Sequence, residues 1–411
     1  MSRVLAYCSP AHGHLFPLTA VLEELRRRGH EIVLRALSGE VEGMRARGFE
    51  AAPIAAEIEA IETDDWKART PAGASARALR VFLARAQHDA PDLQAAIAAE
   101  EPDALLVDVL TWGALGAAEA WGGPWACFCP FPLPLRSRAG PPGGLGLRPA
   151  AGPLGRLRDT ALRPLLRRGF DRISLRGLNE GRARLGLSAL AHTEELFLAP
   201  PLLIYMSAEP FEYPRPDWPE RIVAVGPCLW EPPGELPAAL REVEAPLVLV
   251  TSSTEFQDDG RLVRVALEAL AGEPFHVVAT LPAASGDGLS VPANATVLRF
   301  APHTPILERC ACAITHGGMG ATQKALALGV PVCAVPFGRD QPEVARRVEV
   351  AGAGTRLPAS RLRPDRLRAK VQEAVARKAG AERVAAGFAA AGGAAAAADA
   401  FEQLLERFSA L

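Results

Sequence analysis

Lysine is scarce in this chain: among 411 residues it stands only at positions 67, 324, 370 and 378, so arginine carries nearly all of the positive charge. Strong net charge is missing as well. At a formal -2 with 22 % charged and 49 % hydrophobic residues, the composition is that of a soluble globular protein and gives nucleic acid nothing to hold. No uninterrupted apolar run reaches the roughly 18 residues that span a bilayer. The richest runs, "PWACFCPFPLPL" and "ELFLAPPLLIYM", are broken by prolines, which argues against membrane insertion. The opening "MSRVLAYCS" has no long apolar core of the signal-peptide kind, so a cytoplasmic protein is expected. Seven cysteines make an odd number, and the pairs Cys127/Cys129 and Cys310/Cys312 lie C-x-C within apolar stretches. That pattern suits buried thiols better than a disulfide framework or a zinc site.

What is present is alternation. "VLAYCS" reads as a strand, and "FPLTAVLEELRRRGH" as a helix with Leu18, Val21, Leu22 and Leu25 at helical spacing, Pro17 near its first turn and Gly29 after its end. Strand and helix candidates follow through "EIVLRAL", "FEAAPIA", "VFLARAQHDAPDLQAAIAAE", "DALLVDVL", "WGALGAAEAWG" and "WACFCP", the order of a parallel, doubly wound α/β sheet. From Pro130 to about Arg168 the chain is crowded with proline, glycine and arginine and shows no period, which predicts a long irregular binding loop or linker. A second break, residues 226–246, precedes a fresh α/β series beginning at "LVLVTSS". The expected plan is therefore two domains, 1–226 and 247–411, joined by a linker at 227–246. The alanine-rich tail is read as helix, free to pack back on the N-terminal domain.

In the second series, "AITHGGMGATQKALALGVP" places His316 and a glycine turn between a strand and a helix. The first amides of a helix have no internal partner, and with the positive end of the helix dipole they favour an anion such as a diphosphate. Glycine at such a turn is weak support alone, since tight turns want it anyway. In the first series the strand is followed by "PAHGH", and the lack of G-x-G-x-x-G disfavours a dinucleotide dehydrogenase. His12 and His14 both stand there as candidate general bases, and composition does not choose between them.

The longer stretch "THGGMGATQKALALGVPVCAVPFGRDQ", with "AHGHLFPL", "VGP" and "FAPHTPIL", resembles the signature of the UDP-glycosyltransferase family (family 1), in particular the bacterial members that decorate natural products. The resemblance implies the GT-B architecture, two Rossmann-like domains facing across a cleft. It also implies an inverting, metal-independent transfer of a sugar from a UDP- or dTDP-sugar to a hydroxyl of an apolar small molecule. No other cofactor is implied. Carried over, it makes His14 the base, oriented by Asp108, and sets His316, Gly318 and Gly320 at the donor diphosphate with Thr322 close by. Asp340 and Gln341 fall where the family holds the donor sugar, Phe300 where it stacks on the base, and His303 where many members have glutamine. Ser252, Ser253 and Thr254 match a region that touches the phosphates. Lys324 departs from the pattern, which has a glutamate there for the ribose hydroxyls; an ammonium has no lone pair to accept from a diol.

The acceptor is expected to meet apolar groups from the loop after Pro130 and from Ala78–Phe82. Neither Asp64-Asp65 nor Asp258-Asp259 has the D-x-D spacing associated with a metal-held diphosphate, and both are read as solvated acidic pairs. The rival reading is a catalytically silent protein that keeps the cleft for binding alone. The sequence does not decide between monomer and homodimer.

Overall fold

A computed structural model describes residues 1–253, 260–281 and 288–410. Thr254 and the pair Asp258-Asp259 lie outside the described residues. Seven strands, β1 (Arg3–Tyr7), β2 (Glu31–Ala36), β3 (Glu50–Pro53), β4 (Ala104–Asp108), β5 (Trp125–Cys129), β6 (Leu202–Tyr205) and β7 (Ile222–Ala224), form one sheet in the order 3-2-1-4-5-6-7. Six more, β8 (Leu247–Thr251), β9 (His276–Thr280), β10 (Ala295–Leu298), β11 (Cys310–Thr315), β12 (Val332–Ala334) and β13 (Gly354–Arg356), form a second in the order 10-9-8-11-12-13. Every pairing in both is parallel. The central strands, buried on both faces, account for the continuous apolar runs in the sequence. In each sheet the order reverses beside the first strand, β1 next to β4 and β8 next to β11. Such switch points open a crevice at the carboxyl ends of the strands.

Two readings need correction. The stretch expected to be irregular up to about Arg168 is irregular only to Gly152; from Pro153 it is a 32-residue helix ending at Arg184. Proline at its first position costs nothing, but Pro164 lies inside it, and only Asp159, Ser174, Leu178 and Arg182 are buried. An apolar stripe was therefore too thin to read. The first helix likewise starts at His12, which puts Pro17 within it and both histidines in its opening turn. The cysteines are free and, Cys310 apart, buried.

The tail forms two helices, Lys378–Ala391 and Gly393–Ser409, parted at Gly392 with φ 87°. By composition this stretch is apolar and long enough to cross a membrane, and about a third of its most apolar window, 33 %, is buried inside the protein. Phe401, Leu404, Ala397 and Ala398 complete the core on one face of the first sheet, while Val384 and Phe388 belong to a core of the second. Arg28 on the first helix reaches Asp399 at 2.6 Å and Glu402 at 2.7 Å. The domains are also joined through Arg347, 2 % exposed, whose guanidinium meets Glu212 at 2.9 and 3.0 Å and Glu343 at 2.8 Å. Burial alone would raise the Glu212 carboxyl; the charge of Arg347 reverses this and holds it below the usual range.

Asp89, on the helix Pro71–Glu100, is 1 % exposed, and neither of its oxygens makes a well-formed hydrogen bond among the described residues. Burial pushes its carboxyl well above the usual range, Arg85 and the Gly113 amide offset only part of this, and the charge of Asp108 adds to the rise. A carboxyl raised in the folded state binds its proton more tightly there than in the unfolded chain. It therefore costs stability as pH rises from the ordinary carboxylate range toward its folded value. Asp89→Asn is expected to raise the melting temperature at pH 8 and to change it little at pH 4; thermal denaturation at the two values checks this.

Candidate active site

β1 and β4 place their carboxyl ends side by side, and this adjacency builds the first half of the site. Asp108 ends β4 with no exposure, and His14 lies in the first turn of the helix after β1. Asp108 Oδ1 meets His14 Nδ1 at 2.8 Å and accepts the Leu110 amide at 3.1 Å, while Oδ2 accepts both the amide and the hydroxyl of Ser9. Burial works to raise the Asp108 carboxyl, but His14, Ser9 and the Leu110 amide outweigh it and hold it below the usual range. Ionised and fully engaged, Asp108 fixes Nδ1–H as the donor and leaves Nε2 as the basic atom of His14. His12 is turned toward Glu40, 3.0 Å distant, with its ring 5.5 Å from that of Phe16 in a tilted contact. Geometry thus separates the two histidines, His14 joined to the buried Asp108 and His12 to Glu40. The cap of the helix at Trp112 is Thr111, so the Asp108 side chain is not spent on capping.

The second half is the turn after β11. His316 is 8 % exposed, Gly317 has φ 85°, and Gly318 is the N-cap of the helix Met319–Ala327 without a side-chain cap. A Cβ on Gly318 would fall 2.3 Å from His316 Nε2, whereas one on Gly320 would meet nothing within 4 Å. The imidazole therefore folds over Gly318, and the Gly320 side of the mouth is open. Thr322 is not at that opening. It is fully buried, its hydroxyl 3.1 Å from that of Thr315, whose Oγ1 also accepts the Gly317 amide. It braces the turn from beneath.

Asp340 is the N-cap residue of the helix Gln341–Val350. Burial raises its carboxyl, and the charges of His14, from the first domain, and of Arg339 counter part of the rise. Gln341 is 2 % exposed, and its Oε1 accepts the amides of Phe337 at 2.8 Å and Gly338 at 3.0 Å, so that this atom holds the turn in shape. The irregular loop of the first domain closes on the same helix: the Gly146 amide donates to Glu343 at 2.7 Å, and Arg346 Nε to the Gly146 carbonyl at 2.8 Å. Phe131, from the start of that loop, lies 5.7 Å from the His14 ring. Phe82 and Trp112, 5.7 Å apart, continue the apolar region, although Leu79, Leu133 and Leu135 are buried in the core.

Beyond the mouth, Trp230, Glu231, Thr304, Pro305, Glu308 and Lys324 line an open pocket of about 430 Å³. Here Lys324 finds its explanation. Its Nζ is 2.9 Å from Glu231 Oε1, which also accepts the His303 amide, while Oε2 accepts the Thr304 amide at 2.9 Å. Burial would raise the Glu231 carboxyl, but these bonds and the ammonium bring it below the usual range. Sequence reading missed Glu231; its one signal was the acidic residue in the linker phrase "CLWEPP". His303 Nε2 lies 3.1 Å from the Thr280 hydroxyl, and burial, aided by Lys324, holds its imidazole down to about 4, so it is neutral at physiological pH. Phe300 is 67 % exposed, and Ser253, after β8, is buried.

Residues 264–404 match the family model described as erythromycin biosynthesis protein CIII-like, C-terminal domain. The 4'-demethylrebeccamycin synthase of Lentzea aerocolonigenes is 33 % identical over 387 residues, 88 % of this chain and 89 % of that one. The demethyllactenocin mycarosyltransferase of Streptomyces fradiae is 27 % identical over 365 residues, 85 % and 74 % of the two chains. Among solved structures, the glycosyltransferase of kitacinnamycin superimposes with a TM-score of 0.76 at 25 % identity, covering 98 % of each chain. The calicheamicin glycosyltransferase gives 0.74 at 23 %, covering 99 % of each. The two facing parallel sheets are the GT-B fold, and the chain belongs to the natural-product glycosyltransferases of family 1, enzymes that transfer a sugar to small-molecule acceptors.

Proposed function

We propose that this enzyme is an inverting, metal-independent glycosyltransferase that moves a sugar from a UDP- or dTDP-sugar to a hydroxyl of an apolar natural product of the polyketide, macrolide or flavonoid kind. The observation that carries this reading is the pair of His14 and the fully buried Asp108 at 2.8 Å, with the charge of His14 felt by Asp340 of the second domain. His14 Nε2 takes the proton of the acceptor hydroxyl as its oxygen bonds to the anomeric carbon. The bond from that carbon to the diphosphate oxygen breaks on the opposite face, which inverts the configuration. Asp108 stabilises the imidazolium that forms. The growing charge on the diphosphate is met by His316 and the first amides of the helix Met319–Ala327, a preorganised site of the oxyanion-hole kind. These groups supply the neutralisation that a divalent ion would otherwise provide, so EDTA is expected to leave the rate unchanged.

Phe300 and the 430 Å³ pocket suit a base and its pentose. With Glu231 already accepting from two amides and Lys324, the pocket does not favour a ribose diol strongly, which keeps uridine and thymidine donors both within this reading. The phenyl face of Phe131 beside His14 supports an aromatic or otherwise apolar acceptor. Incubation with UDP- and dTDP-sugars and a panel of hydroxylated polyketide and aromatic acceptors, with products read by mass, tests the proposal. A glycoside of inverted anomeric configuration is expected. Binding of the nucleotide without any product across the panel would support the silent binding protein instead.

A further inference from the structure

Arg339 stands one residue before Asp340 and has φ 55°, the left-handed region that a non-glycine residue enters only when its surroundings hold it there. Part of what holds it comes from the other domain. Its Nε lies 2.9 Å from Asp65 Oδ2 and its Nη2 3.0 Å from Asp65 Oδ1, a two-point ion pair across the cleft. Asp65 is not the solvated acid its sequence suggested. It is 6 % exposed, at the start of the short turn Asp65–Lys67 that packs on the helix Pro71–Glu100. Asp64, its neighbour in the pair, points elsewhere, to Arg77. A guanidinium–carboxylate fork fixes both distance and plane, which a single charge contact does not. The turn it holds is stiff in its own right, because Gln341 binds the amides of Phe337 and Gly338. A shift at Arg339 therefore moves Asp340 with it.

We propose that Asp65 and Arg339 form a positioning clasp, which ties the turn carrying Asp340 to the acceptor domain and so sets where the donor sugar stands relative to His14. This rests on the sugar-transfer reading above. Neither Asp65 nor Arg339 lines the pocket beside Lys324, and the clasp holds the turn at Asp340, the sugar end of the donor site in this reading, which makes it testable. Neither residue acts on the reacting atoms; both act through Asp340.

Asp65→Asn removes the charge, Arg339→Lys keeps a charge without the fork, and Arg339→Gly removes the clasp while relieving the left-handed backbone. Steady-state kinetics with dTDP-glucose or UDP-glucose and an acceptor from the product screen are compared with titration of thymidine or uridine diphosphate alone. Asp65→Asn and Arg339→Gly are expected to lower kcat/KM for the sugar donor by about 10- to 100-fold, the cost of misplacing reactants by about an ångström. Arg339→Lys should fall between these and the parent, and affinity for the diphosphate should stay within about twofold in all three. Melting temperatures confirm that each variant is folded, with Arg339→Gly as the variant free of backbone strain. Parent-like kinetics in Asp65→Asn and Arg339→Gly would overturn the clasp, as would an equal loss of diphosphate affinity. A parent enzyme that transfers no sugar would instead overturn the sugar-transfer reading itself.

Discussion

His14→Ala is expected to lower sugar transfer by about 10²–10⁴-fold while leaving nucleoside diphosphate affinity close to that of the parent, with a melting curve showing that the variant is folded at the assay temperature. The size follows from the role: a positioned base contributes that much in rate. His12, two residues away, is held by Glu40 and Phe16 on another side of the helix start. Some stability should be lost as well, because the His14 side chain is only 13 % exposed and its removal takes from the fully buried Asp108 carboxylate the imidazole it is paired with. The loss at the partner should be larger. Asp108 has no exposure, and its carboxylate also organises Ser9 and Leu110, so Asp108→Ala should cost both activity and stability, whereas Asp108→Asn keeps the volume and tests orientation. The two residues also predict the pH profile. The pH–rate profile of His14→Ala should accordingly differ in shape from the parent's. Asp108, its folded carboxyl held below the ordinary range, contributes stability that is present above that range and is lost as pH falls through its lowered value. Acid is therefore expected to loosen the first domain as well as to protonate the base.

Gly320→Val should abolish most donor binding in a protein that folds normally. A Cβ at this position meets no neighbouring atom within 4 Å, so the new side chain starts into open space, and it is one that a helix tolerates. The space it fills is the side from which phosphoryl oxygens would approach the first helical amides. Displacing them from even one amide removes a charge-stabilising hydrogen bond, an effect of about 10²–10³-fold in rate for a single donor of this kind. Titration with thymidine or uridine diphosphate beside a melting curve separates the two consequences. Gly318→Ala makes an instructive contrast, since its Cβ would strike His316 and so perturb the imidazole by a contact within the protein.

The parts of this molecule legible in the sequence are those written locally. Strand–helix alternation predicted both sheets, and the break at 226–246 falls between β7, which ends at Ala224, and β8, which starts at Leu247. The helix mouth at His316 was legible because a strand, a glycine turn and a helix follow in order. What escaped depends on distant partners. Asp65 looked like a solvated acid because the arginine that buries it is 274 residues away, and Lys324 looked out of place because Glu231 is 93 residues away. Thr322, read at the mouth, lies under it because its hydroxyl finds Thr315 on β11. The helix Pro153–Arg184 was hidden for a different reason: arginines and an internal proline mask its period, and it buries too little to show a stripe.

A structure of the enzyme with a nucleoside diphosphate and an acceptor bound together tests the central claim most directly. The account predicts phosphoryl oxygens about 3 Å from the first amides of the helix Met319–Ala327, and the acceptor hydroxyl within hydrogen-bond reach of His14 Nε2. A diphosphate seated away from that turn, or an acceptor hydroxyl facing a group other than His14, would contradict it.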